Sequence, residues 1–263
     1  MHYAFSSRTD RGRVRANNED AVRVEPARGL ALLADGMGGY NAGEVASSMA
    51  VSVVDAQLAQ RLPAPATPAS LLAATPPAVT PIALRDALQA SVDAANRAIL
   101  DAAAATPAYR GMGTTLVVAL FRGPLLYLGH IGDSRGYRWR GGRLQQLTRD
   151  HSLLQEQLDA GLITPQQAAT SPQRNLITRA LGVEPGVRLD ISEVPVQADD
   201  CFLLCSDGLT DMLDDAAIAQ LLARPWPPDQ PGLDRLAAAL VDEANACGGR
   251  DNISVLLVRA GAD

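Results

Sequence analysis

Short apolar runs closed by Gly or Asp alternate along the chain with longer Ala-rich stretches, and the two patterns predict different elements. The runs GLALLAD (29–35), TTLVVALF (114–121), LLYLGHIGD (125–133), GYRWR (136–140), CFLLCSD (201–207) and ISVLLVR (253–259) have the length and residue types of strands. Arg122-Gly123-Pro124 separates two of them at hairpin distance, and Gly141-Gly142 does the same for GYRWR and RLQQLT. Residues 43–61, 82–104 and 233–246 place apolar positions at helical spacing and read as helices. Hairpins with helices gathered into a few segments predict an α+β layered fold, not a regular βαβ alternation. The proline-rich segment 63–81 predicts a stiff, exposed loop inserted within one domain. Residues 152–180 read as short helical pieces broken at Gly161, Pro165 and Pro172, the kind of stretch that covers a site.

Composition narrows the classes. The 263 residues allow one large domain or two small ones and can bury a core without disulfide staples. A net charge of -6 with 20% charged residues is globular composition and lacks the basic footprint of a nucleic-acid binder. Arg8, Arg11, Arg13 and Arg15 do cluster, but Asp10, Glu19 and Asp20 interleave with them. Cys201, Cys205 and Cys247 form no disulfide framework, which points to a reducing compartment. The first residues contain no apolar signal region, and no apolar run approaches the ~20 residues of a membrane span. A cytoplasmic protein with no membrane association is expected.

The placement of the acids carries the chemistry. Asp35, Asp133 and Asp207 each end an apolar strand, and Asp251 stands just before one. Antiparallel packing sets the end of one strand beside the start of its neighbour, so all four can gather at one edge of the core. A single Asp-Gly is ordinary turn chemistry, whereas four carboxylates together would repel unless a cation offsets them. Oxygen-only ligation selects Mg²⁺ or Mn²⁺, and His2, His130 and His151 lack zinc-type spacing. Arg15, beside Glu19 and Asp20, offers a planar fork suited to phosphate, or else a surface ion pair.

The ordered motifs TDRGRVRANNED (9–20), ADGMGGYNAGEVAS (34–47), RGMGTT (110–115), HIGDSRGYR (130–138), LTRDHSL (147–153), PQRNLITRALG (172–182), LLCSDGLTD (203–211) and DNISVLLV (251–258) resemble the metal-dependent protein phosphatases of type 2C, in their bacterial form. The resemblance spans nearly the whole chain. It implies one catalytic domain over 1–263, a four-layer α/β/β/α sandwich of two antiparallel sheets flanked by helices, and a flap at 152–180. It implies hydrolysis of phosphoserine and phosphothreonine on proteins without a phosphoenzyme, by a hydroxide bridging two Mn²⁺ or Mg²⁺ ions. Asp35 matches the carboxylate bridging those ions, with the Gly36 carbonyl, Asp207 and Asp251 as further ligands. Asp133 matches the ligand of a weaker third ion, shared with Asp207. Glu19 and Asp20 match acids that hold water or orient the site, and Arg15 matches the group that grips the phosphate. Phosphorylated proteins are the implied partners, with an opposing Ser/Thr kinase, for a free-standing monomeric domain. Eukaryotic members have a His directly after the Asp-Gly pair where this chain has Met37, so the general acid is left unassigned.

Other readings are weaker. Gly132-Asp133-Ser134-Arg135-Gly136 fits the nucleophile elbow of α/β-hydrolases, but that motif needs a following helix, where GYRWRGGRLQQLT reads as a hairpin, and a His after the triad acid, and no His follows His151. No Cys precedes an arginine-ended phosphate loop, and GMGG and GMGTT lack the ending of a nucleotide-binding loop. His151 reads as a structural residue at the flap entrance. A catalytically weak phosphopeptide-binding or scaffold relative would be expected to lack one of Asp35, Asp207 and Asp251, and all are present.

Overall fold

The apolar run after Gly29 becomes β3 (Leu30–Met37), whose side chains divide by period two between separate cores. Leu30, Leu32 and Ala34 pack under helices, while Ala31 and Leu33 face a second sheet. Burial on both faces explains why this strand is a continuous apolar run. The computed structural model describes residues 1–262 except 40–41, 63–79, 170, 172–175 and 226.

One sheet has the order β2 (Asp20–Glu25), β3, β5 (Leu116–Arg122), β6 (Leu125–Ile131) and β9 (Asp190–Pro195), with β4 (Gly113–Thr114) pairing the end of β3. The other runs β1 (His2–Asp10), β11 (Ile253–Gly261), β10 (Cys201–Cys205), β7 (Arg135–Arg140) and β8 (Arg143–Gln146). The pairings are antiparallel throughout. Helices α1 (Ala42–Arg61) and α2 (Pro81–Ala105) cover the first sheet, and α6 (Asp215–Leu222) and α7 (Gln230–Ala246) cover the second. This is the expected four-layer sandwich. Within 152–180 lie α3 (Leu153–Asp159) and α4 (Pro165–Ala169).

The layer between the sheets is aliphatic around one aromatic centre. Phe121 meets Tyr3 at 4.5 Å, Phe202 at 5.4 Å and Phe5 at 6.0 Å, joining three strands of the second and first sheets. The chain passes between the sheets four times: at the 11–19 loop after β1, at the 132–134 turn after β6, between β8 and β9, and between β9 and β10.

Several boundaries differ from the sequence pattern for identifiable reasons. The run 114–121 splits at Thr115, whose N–H turns aside to the Asp35 carbonyl at 2.9 Å. Most of the predicted loop 63–81 lies outside the described residues. At its end, the Thr80 hydroxyl caps the Ala83 N–H and Pro81 opens α2, where its missing donor is not needed. Pro165 likewise opens α4 instead of breaking a helix. The pattern leaves β1, β2, β9 and α6 unpredicted. Of these, β1, β2 and β9 are edge strands with few or no buried side chains, so their apolar periodicity is thin.

Phe121→Ala should lower stability by about 3–5 kcal/mol, because it empties the centre of the inter-sheet layer. Urea unfolding measures this; a loss below about 1 kcal/mol would mean the two sheets pack without it.

Candidate metal centre

Each strand delivers its acid to the same end of the sandwich. Asp20 and Asp35 are direct partners across β2 and β3. The Asp35 backbone is held at both poles: its N–H donates to Thr115 Oγ1 at 3.0 Å, and its carbonyl accepts from Thr114 Oγ1 at 2.8 Å. From the other sheet, Asp207 follows β10 and opens the one-turn helix α5 (Asp207–Thr210), while Asp251 precedes β11. Asp133 sits in the turn between β6 and β7. Close backbone approach makes this possible. A Cβ on Gly36 would stand 2.1 Å from the Gly43 carbonyl, and one on Gly208 would stand 1.9 Å from that of Asn252.

The acids feel one another strongly. Burial raises the Asp35 carboxyl well above its ordinary value, and the charges of Asp20, Asp207 and Asp133 add to the shift. Asp207 is pushed up to about 8, first by burial and then by Asp133, Asp251 and Asp211. Asp20 rises to about 6, chiefly by burial, although Ser206 Oγ donates to its Oδ2 at 2.8 Å. Asp133 also rises to about 6, by burial and by Asp150. Glu19 is raised too, with burial the main cause. The buried oxygens Asp20 Oδ1 and Asp133 Oδ1 have no hydrogen-bond partner within the protein. A hard dication fits this donor set: it would use the unpartnered oxygens and remove the repulsion.

Arg15 stands at the rim. Its side chain is 53% exposed, and Nη2 contacts Asp251 Oδ2 at 2.5 Å. Burial works against its charge, but Asp251, Glu19 and Asp207 outweigh that and hold the guanidinium more firmly protonated than usual.

The structure therefore brings Arg15, Glu19, Asp20, Asp35, Gly36, Asp133, Asp207 and Asp251 to one end of the fold. Residues that sequence reasoning passed over also converge there. Ser206 bonds Asp20, Thr114 and Thr115 fix Asp35, and Asp211, bonded through its N–H to the Asp207 carbonyl, adds charge next to Asp207. The four-residue spacing of Asp207 and Asp211 was the available signal for the last of these; the hydroxyls carry none.

The alternative nucleophiles are occupied elsewhere. Ser134 Oγ is buried and paired with Thr115 Oγ1 at 2.8 Å, and strand β7, not a helix, follows it. Burial pushes the Cys201 and Cys205 thiols up to about 12, so neither is a thiolate at neutral pH. His130 and His151 stack at 4.7 Å near Asp190. His151 Nδ1 accepts the Gly132 N–H at 3.1 Å, which leaves the ring proton on Nε2, facing Asp190 Oδ2 at 3.1 Å. The His151 carbonyl accepts the Thr178 N–H at 2.8 Å, so this residue joins the 132–134 turn to the predicted flap.

The family model for protein phosphatase 2C matches residues 9–241. The chain belongs to the protein phosphatase 2C family. This phosphatase chain is 38% identical over 261 residues to the serine/threonine phosphatase stp of Listeria innocua, covering 98% of this chain and 95% of that protein. It is 43% identical over 254 residues to the serine/threonine protein phosphatase PstP of Mycobacterium tuberculosis, covering 96% of this chain and 44% of that longer protein. A crystal structure of the catalytic domain of PstP in complex with two manganese ions superposes with a TM-score of 0.81 at 38% identity, covering 99% of both chains.

A pH dependence follows from the raised carboxyls. Their folded pKa values exceed the unfolded ones, so their contribution to stability is full below the ordinary carboxylate range and is lost as pH rises through about 6 to about 8. Metal-free protein should resist urea better at about pH 5.5 than at about pH 8, and saturating Mn²⁺ should reduce the difference. Equal midpoints at both pH values without metal would contradict the predicted repulsion.

Proposed function

We propose that this chain hydrolyses phosphoserine and phosphothreonine on proteins at the carboxylate cluster, without a phosphoenzyme. The observation that carries the reading is the convergence of Asp20, Asp35, Asp133 and Asp207 from both sheets, with buried oxygens left unpartnered. Asp35, the Gly36 carbonyl, Asp207 and Asp251 would hold two divalent ions, Mn²⁺ or Mg²⁺, and Asp133 with Asp207 a weaker third. When bound, such ions supply hydroxide near neutral pH and offset charge on the phosphoryl oxygens.

The remaining work belongs to the chain. Arg15 presents a planar fork to the phosphate and, being at the rim, can exchange its contact with Asp251 for two phosphoryl oxygens. Asp20, anchored by Ser206, and Glu19, anchored through its backbone, orient water at the cluster. Thr114 and Thr115 hold Asp35 rigidly, so little reorganisation is needed as charge develops. Residues 152–180 form the flap beside the site and contribute to substrate choice, within a single catalytic domain spanning 1–263. The protein would act in the cytoplasm as a monomer and oppose a Ser/Thr kinase. No helix among the described residues is long and apolar enough to cross a membrane.

Phosphate release from phosphothreonine peptides should require Mn²⁺ or Mg²⁺, stop with EDTA and fall at least about a hundredfold in Asp207→Ala. Metal-loaded wild type that turns over no such peptide would sink the reading. Arg15→Ala should raise KM about tenfold with kcat changed less than about threefold, as expected for a group that binds phosphate. The reverse split would make Arg15 a transition-state group.

A further inference from the structure

We propose that Asn252 is a positioning residue for phosphate binding: its side-chain amide clasps the neck of the 11–19 loop and so sets where Arg15 stands. The proposal rests on the reading of Arg15 given above. The loop joins β1 to β2 across the two sheets and is exposed from Arg13 to Asn17. A guanidinium near the tip of such a loop would spend much of its binding energy on ordering the backbone.

Asn252 restrains both ends of that loop at once. Its Nδ2 donates to the carbonyls of Arg11 at 3.0 Å and Asn17 at 2.8 Å, and its Oδ1 accepts the Glu19 N–H at 2.8 Å. Both amide protons meet carbonyls and the amide oxygen meets an N–H, so only one orientation of the group satisfies the site. The residue is 5% exposed, which keeps water from replacing a lost partner. Arg15 lies midway between the clasped points, and its guanidinium reaches Asp251, the residue directly before Asn252. One dipeptide thus supplies both the ionic partner of Arg15 and the clasp on its loop. Independent contacts hold the first part of the loop: the Arg13 N–H donates to the Gly249 carbonyl at 2.7 Å, and a Cβ on Gly12 would stand 2.2 Å from the Asp251 carbonyl. The far end has its own anchors, since Asn18 Nδ2 donates to Thr9 Oγ1 at 2.7 Å and Ser47 Oγ donates to the Glu19 carbonyl at 2.6 Å. Removing the amide should therefore free residues 14–17 and the Glu19 N–H without unfolding the neck.

Two measurements test this on wild type, Asn252→Ala, Arg15→Ala and the double variant. The first is steady-state kinetics on p-nitrophenyl phosphate at saturating Mn²⁺; the second is hydrogen–deuterium exchange of the metal-free proteins. Asn252→Ala should raise KM about tenfold with kcat changed less than about threefold, and the double variant should be no worse than Arg15→Ala alone. Exchange should quicken across 14–17 and at the Glu19 N–H while β10 and β11 keep their protection. Asn252→Asp, nearly equal in volume, lacks both donors and should give the same KM rise and faster exchange even if the Ala variant unfolds. Unchanged exchange over 14–17 and at the Glu19 N–H in both Asn252 variants overturns the clasp, as do KM losses that multiply in the double variant. An Arg15→Ala protein with wild-type KM overturns the reading of Arg15 instead, an outcome separable because the exchange measurement involves no phosphate.

Discussion

Backbone pairing leaves the clustered carboxylates no room to separate. Asp20 and Asp35 face each other across two strands, and Asp35 is pinned through both its N–H and its carbonyl. Asp207 follows a fully buried strand and Asp251 precedes one buried from Ile253 to Val258, so neither can retreat without disturbing a core. Glycines at 36 and 208 close the remaining space. The fold thus concentrates negative charge where desolvation penalises it most, and a cation becomes the natural complement.

The rest of the architecture serves that constraint. Three apolar layers, two under helices and one between the sheets, supply the stability that an uncompensated cluster opposes. Such a division is common: a site is tuned for chemistry at the expense of local stability, and the surrounding core offsets the loss. Two of the crossings between sheets fall at the end where the acids gather. Loop 11–19 carries Arg15 and leads into Glu19 and Asp20, and the 132–134 turn carries Asp133, so connections that topology requires also place functional groups.

Much of this was readable in the chain because strand-ending acids leave a visible mark. Asp35, Asp133, Asp207 and Asp251 stand out where apolar runs meet charge, and antiparallel pairing turns that pattern into proximity. The edge strands β1 and β9 gave no comparable signal, since Ser6, Ser7 and Arg8 in one and Ser192 and Glu193 in the other resemble loop composition. The supports of the site were less legible still. Ser206, Thr114, Thr115 and Asn252 act through hydrogen bonds to backbone or carboxyl groups far away in the chain, and spacing along the chain does not encode those partners. His151 shows the converse: beside Asp150 it looks titratable, yet its ring is taken up by Gly132 and Asp190.

In the proposed function, divalent cations bind at the carboxylate cluster and not at the nearby His130–His151–Asp190 group. An anomalous-scattering map from crystals grown with Mn²⁺ tests it most directly. Manganese peaks in direct contact with Asp35 and Asp207 are expected. Peaks confined to the histidine group, or none at the carboxylates under saturating Mn²⁺, would contradict it.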